Sequence, residues 1–159
     1  MPQELDAAST TIKHDGTFDI EKTLSTIRDW MKRNLYGYFE KKQRFASDGR
    51  SLTIEGGKAV DEYAKLSLEI SLNAENLKAV DIILDQKKIP QHQGKITIKI
   101  SGKLTLDHAK KLENEPWLSI RTLIHKTLMR HRVGKWFDDI DTDVFALTRS
   151  VRDALELEA

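Results

Sequence analysis

Residues 95–106 constrain the fold of this chain more than any other segment. Ile96, Ile98, Ile100, Leu104 and Leu106 alternate with Lys95, Thr97, Lys99, Ser101, Lys103 and Thr105, and Gly102 takes one apolar turn. A period of two is a strand with one dry face and one wet face. A strand of a parallel sheet, covered on both faces, would show a continuous apolar run instead. The sheet is therefore expected to be antiparallel, with one face in water. Leu66, Leu68, Ile70 and Leu72 alternate with Lys65, Ser67, Glu69, Ser71 and Asn73 and predict a second strand over 64–72. Val80, Ile82 and Leu84 predict a third. Leu52 and Ile54 start a short one that Gly56-Gly57 ends, after a turn at Ser47-Asp48-Gly49. Residues 38–45 are the weakest candidate.

Helical periodicity brackets these strands. Ile20, Leu24, Ile27 and Met31 lie on one face of a helix predicted over 20–35, with Asp19 as N-cap and Gly37 just past its end. The Asp15-Gly16 pair before it reads as a turn, and residues 1–11, small and polar, read as a flexible arm. Pro116 suits the start of a helix over 117–133, whose stripe is Trp117, Ile120, Ile124 and Leu128, and Gly134 is expected to end it. Trp117 and Trp136 read as packing residues that anchor the ends of this helix. Ile140, Val144, Leu147, Val151 and Ala154 or Leu155 predict a last helix. The expected fold class is thus α+β, a two-layer sandwich: an N-terminal helix, a four- to five-stranded antiparallel sheet, then two C-terminal helices on its apolar face. One domain over 12–159 follows from the length of 159 residues.

The segment His14-Asp15-Gly16-Thr17-Phe18-Asp19, the strand Gly94 to Asp107 and the helix start Glu115-Pro116-Trp117-Leu118 resemble a group of small uncharacterised archaeal proteins. The similarity would span about residues 12–157 in one element order, as a single domain does. It implies a fold and carries no activity, ligand or catalytic residue.

Composition removes several kinds of chemistry. The chain has no Cys, which excludes disulfides, thiolate zinc sites and Cys nucleophiles. Twenty-six Lys+Arg against 25 Asp+Glu leave a net charge of +1, so global basicity does not argue for nucleic acid. No apolar run is long enough for a membrane helix, and Met1 to Ser9 carries Glu4 and Asp6, unlike a signal peptide. A cytoplasmic location is the expectation. No phosphate-binding glycine loop and no Gly-x-Ser-x-Gly occurs. The histidines, His14, His92, His108, His125 and His131, include no pair at His-x-x-x-His spacing, and no metal, cofactor or catalytic residue is expected. Asp138, Asp139, Asp141 and Asp143 fit a hard-cation site by chemistry, but fit better as acids near a helix start, opposing its dipole and capping its N–H groups.

Charge is polarised locally. Segment 111–136 carries +4 and segment 137–159 carries −5. A basic helix beside an acidic one is the simplest account, with Arg121, Lys126, Arg130 and Arg132 near Asp138, Asp139, Asp153 and Glu156. The leading functional reading is a non-enzymatic interaction or assembly domain, with a protein partner or self-association between unlike charges. The alternative is a nucleic-acid-binding protein, using helix 117–133 and the strand 95–103. Its contacts would be Lys95, Lys99, Lys103, Arg121, Lys126, Arg130 and Arg132. The aromatic side chains on which single-stranded bases stack are missing from that strand. A third reading is a carrier of an apolar small molecule held between sheet and helices, as in helix-grip folds.

Overall fold

The computed structural model describes residues 3–60, 64–84, 86–106 and 130–155. In chain order these form β1 (Gln3–Phe18), α1 (Ile20–Arg33), β2 (Phe39–Phe45), β3 (Arg50–Ala59), β4 (Ala64–Leu84), β5 (Lys87–Leu106) and α2 (Arg130–Ala154). The strands make one antiparallel sheet in the order β1-β5-β4-β3-β2. Strands β2 to β5 form a meander of hairpins, and β1 closes the far side against β5. The α+β class and the antiparallel five-stranded sheet agree with the alternation in the sequence.

Alternation decides the layers. Leu66, Leu68, Ile70 and Leu72 of β4 and Ile96, Ile98, Ile100 and Leu104 of β5 are at most 1% exposed. Lys95 and Lys99 between them are exposed and Lys103 is half-buried. Onto this dry face α1 sets Ile20, Leu24, Ile27, Trp30 and Met31, and α2 sets Trp136, Ile140, Val144, Leu147 and Val151. One row of the sheet reads Gly56, Leu68, Gly102. A Cβ on Gly102 would lie 2.7 Å from Cγ1 of Ile140, and one on Gly56 would collide with Met31 and the Gly37 carbonyl. The two glycines let a helix close down on each side of Leu68. Helix α1 starts on Asp19, whose side chain accepts from Lys22 N–H at 3.1 Å. After Asn34 the chain turns away through Leu35 at φ 65°.

Four expectations are corrected. The first element is a strand: residues 3–11, read as an arm, are the first half of β1, and the strand runs through Asp15-Gly16, which pair with Lys95 and Gly94. A bulge between Asp6 and Ser9 puts Leu5 and Ile12, of opposite parity, on one face, so no period of two is visible in the sequence. The helix expected first is therefore second. Helix α2 runs through Gly134 without a break, because one glycine costs a helix only about 1 kcal/mol. Apolar anchors on both sides, Val133, Trp136 and Phe137, outweigh that cost. One C-terminal helix is thus described where two were expected, and most of the predicted helix 117–133, with Trp117, lies outside the described residues. Val80, Ile82 and Leu84 belong to β4 and form no separate strand.

Candidate functional site

The face of the sheet opposite the helices is a polar mosaic. Lys95 lies between Asp15 and Glu75 on the neighbouring strands, Lys99 between Thr11 and Ser71, and Lys103 between Asp6 and Ser67. Lys103 Nζ is 3.9 Å from Glu4, and Lys41 Nζ of β2 is 3.1 Å from Glu55. Basic and acidic groups therefore alternate across the strands, and their potentials partly cancel. Arg132 is exposed on α2, on the other side of the sheet, and forms no ion pair among the described residues. Arg130 is the first described residue of α2. Arg121, Lys126 and Glu156 lie outside the described residues. The strand lysines and Arg132 thus do not share a surface.

A shallow groove of about 450 Å³ crosses the polar face beside the start of β2. Glu4, Glu69, Lys65, Lys103 and the exposed Phe39 border it. A second groove lies at the β2–β3 turn, around Arg44, Asp48 and Asn73. Neither is lined by a helix residue, so neither lies in the layer where an apolar ligand would be carried.

The acidic cluster has a different job from the one expected. Asp138, Asp139, Asp141 and Asp143 lie within α2, well past its described start, whose first turn holds no acid. They cannot cap N–H groups there. Asp141 instead accepts the Ala8 N–H at 2.9 Å, a donor freed by the β1 bulge. Asp143 accepts the Tyr36 hydroxyl at 2.6 Å, and Lys58 Nζ lies 3.9 Å from it and 4.9 Å from the Tyr36 ring centre. Trp30 stacks on the same ring at 5.9 Å. Burial, then the bond to Asp143 and the charges of Asp143 and Asp139, push the Tyr36 phenol far above its usual range. The cluster ties α2 to β1, β3 and the end of α1. Tyr36 was invisible to sequence reasoning because its partner lies 107 residues away.

The feature that sequence reasoning missed is an arm. Strand β3 leaves β4 at Ala74, and β1 leaves β5 at His92. Beyond these points, among the described residues, Lys78–Leu84 of β4 and Lys87–Gln91 of β5 pair only with each other. A bulge between Glu75 and Lys78 separates the arm from the body. Asn76 sits in it at φ 54°, a left-handed conformation that Asn tolerates. A Cβ on Gly94 would lie 2.6 Å from the Glu75 carbonyl, so glycine is what lets the bulge approach β5. The extra residue inverts the parity of β4. Before it even-numbered residues of β4 stand opposite even-numbered residues of β5, as Ala74 does Ile96; after it Lys78 stands opposite Gln93, and the register is one residue out of step. Pro90 was the available signal, since a proline inside a strand pattern marks an edge.

No family model matches this chain, and a search of the curated proteins finds no match. Among the described residues no helix is long and apolar enough to cross a membrane, and no three His, Asp or Glu side chains are grouped to hold a metal.

Proposed function

We propose that this protein is a non-enzymatic assembly domain whose partner is a protein. The observation that carries this reading is the arm. Two strands that pair only with each other are marginal in water unless something covers them. Here such a pair, with no third strand beside it among the described residues, extends from a sheet whose body is well packed. The polar face supports the same reading: Asp15, Glu75 and Asp6 beside the strand lysines disfavour a phosphate backbone, while mixed charge suits a protein surface.

Light scattering after size exclusion tests it, together with native mass spectrometry of protein purified from its own host. The expected result is a mass above the 18.2 kDa of one chain, from self-association or a bound protein. A single chain with no protein partner at any concentration would overturn the reading. Tight binding of mixed-sequence RNA, with a steep salt slope that Lys95→Ala with Lys99→Ala flattens, would replace it with the nucleic-acid reading.

A further inference from the structure

We propose that two rows of side chains crossing the polar face of the sheet bind an acidic, extended segment of a protein partner. The inference rests on the assembly reading above and names the chemistry of the partner and the surface that meets it.

Register across the five strands defines the rows, because residues directly opposite one another in antiparallel strands point to the same face. The first row runs Lys42, Thr53, Ser71, Lys99, Thr11 from β2 to β1. The second, two residues further along each strand, runs Arg44, Ser51, Asn73, Thr97, Lys13. Between the two rows Leu52, Leu72, Ile98 and Ile12 are buried on the helix side, so the rows themselves face away from the helices. The bulge between Glu40 and Lys42 sets the β2 end: with no bulge Lys41 and Gln43 would stand opposite Thr53 and Ser51, one cation fewer. The bulged Lys41 instead answers Glu55 at 3.1 Å.

Charge singles these rows out. They carry Lys13, Lys42, Arg44 and Lys99, all exposed, and no acid. None of the four cations forms an ion pair among the described residues. The remaining members are Ser, Thr and Asn. The rows on either side are acidic: Glu55 and Glu69 stand opposite each other in one, and Asp15 and Glu75 flank Lys95 in the other. A band of positive potential is thus bounded by negative potential on both sides.

That profile selects the partner. A nucleic acid is anionic across its whole width and would meet the acids beside the band. Single-strand binders also set aromatic side chains among their cations, and the band has none. A protein can confine its acids to one strip. Five strands about 4.8 Å apart make the band about 19 Å long, the reach of about six extended residues. In an extended segment alternate side chains point one way. Asp or Glu at every second position would therefore present carboxylates to the cations, with Ser, Thr and Asn side chains between to bond the backbone.

The test uses the full chain and a fluorescein-labelled peptide of alternating Glu and Ser, titrated by fluorescence anisotropy at several salt concentrations. Binding is expected, and it should weaken as salt rises because exposed charges are screened. Lys42→Glu with Lys99→Glu should weaken it about tenfold. Lys65→Glu with Lys103→Glu makes the same change in net charge on the same face. Lys103 stands four residues along β5 from Lys99, about 13 Å away, beyond the screening length of about 8 Å at physiological salt. That second pair should leave the affinity nearly unchanged. Circular dichroism of each variant should match the wild type; should the Lys42 and Lys99 variant fail to fold, Lys13→Glu with Arg44→Glu reads the same band. A peptide that does not bind, or that both pairs of substitutions weaken alike, overturns the band. So does a polyuridine strand that binds more tightly than the peptide and loses its hold with Lys42→Glu and Lys99→Glu, since the ligand is then a nucleic acid. The two readings fail separately: recovery from its own host as a single chain without a partner overturns the assembly reading, and the peptide result alone decides the band.

Discussion

From Ala64 to Ala74, β4 buries every second side chain beneath α1 and α2 and leaves the others wet; from Lys78 to Leu84 the same strand pairs, among the described residues, with β5 alone. Both stretches are rich in aliphatic residues, but only the first alternates them strictly with polar ones. One inserted residue separates them. In the body, burial against two helices fixes register, because a slip by one residue would turn Leu66, Leu68 and Ile70 into water. In the arm the bulge at Asn76 sets the register from the backbone side. The contrast teaches that an apolar stripe in a strand names a face to be covered, without saying what covers it.

The contrast can be tested by substitution. The largest effect is expected at the body's centre. Ile98→Ala should destabilise by about 2–5 kcal/mol in urea denaturation, because the site is fully buried among well-packed neighbours. A cost below that range would mean the body is as loose as the arm. Gly102→Val should cost about 1–3 kcal/mol by overpacking, since the new side chain meets Ile140 and Val144 of α2. The same substitution should speed proteolysis near α2.

Tyr36→Phe should cost about 1–2 kcal/mol near neutral pH, through the lost bond to a charged acceptor. Its pH dependence has a definite sign. The folded-state pKa of Tyr36 is raised, so its contribution is fully present below the unfolded value of about 10. It falls as pH rises beyond that, because only the unfolded chain gives up the proton. The stability gap between wild type and Tyr36→Phe should therefore narrow above about pH 10; a gap that widens would contradict the buried, neutral phenol. The smallest effect is expected in the arm. Lys78→Ala, at an exposed position, should change stability by within about 0.5 kcal/mol in urea denaturation. A loss as large as that at Ile98 would show that the arm is packed within its own chain.

Much of the fold was legible wherever the residue period matched the element without interruption. The α1 stripe of Ile20, Leu24, Ile27 and Met31 and the β5 stripe of Ile96, Ile98 and Ile100 are buried as their spacing requires. The same holds for Ile140, Val144, Leu147 and Val151. The candidate contacts Lys95, Lys99 and Lys103 were legible as a wet face, but their neighbours Asp6, Asp15 and Glu75 come from other strands. Strand β1 was missed because its bulge erases the period of two in a stretch of Ala, Ser and Thr. The acids of α2 were misread because a helix start was placed after Gly134, where dipole arguments apply, and the helix runs through.

By itself the sequence determined the two layers and which face of α1, of the body of β4, of β5 beyond Lys95 and of α2 is dry, since apolar residues at a fixed spacing leave only one side that can be taken from water. Tertiary structure decided the rest. It decided that β1 lies beside β5, a pairing whose partners lie from 74 (Phe18 and His92) to 103 (Gln3 and Leu106) residues apart, beyond the reach of any local period. It decided that Asp143 answers Tyr36 and Asp141 answers Ala8, because a buried donor takes whatever acceptor folding brings within reach. And it decided, through a single residue of bulge between Glu75 and Lys78, that β4 resumes its pairing with β5 one residue out of step, because register in a strand follows the count of residues from a paired neighbour.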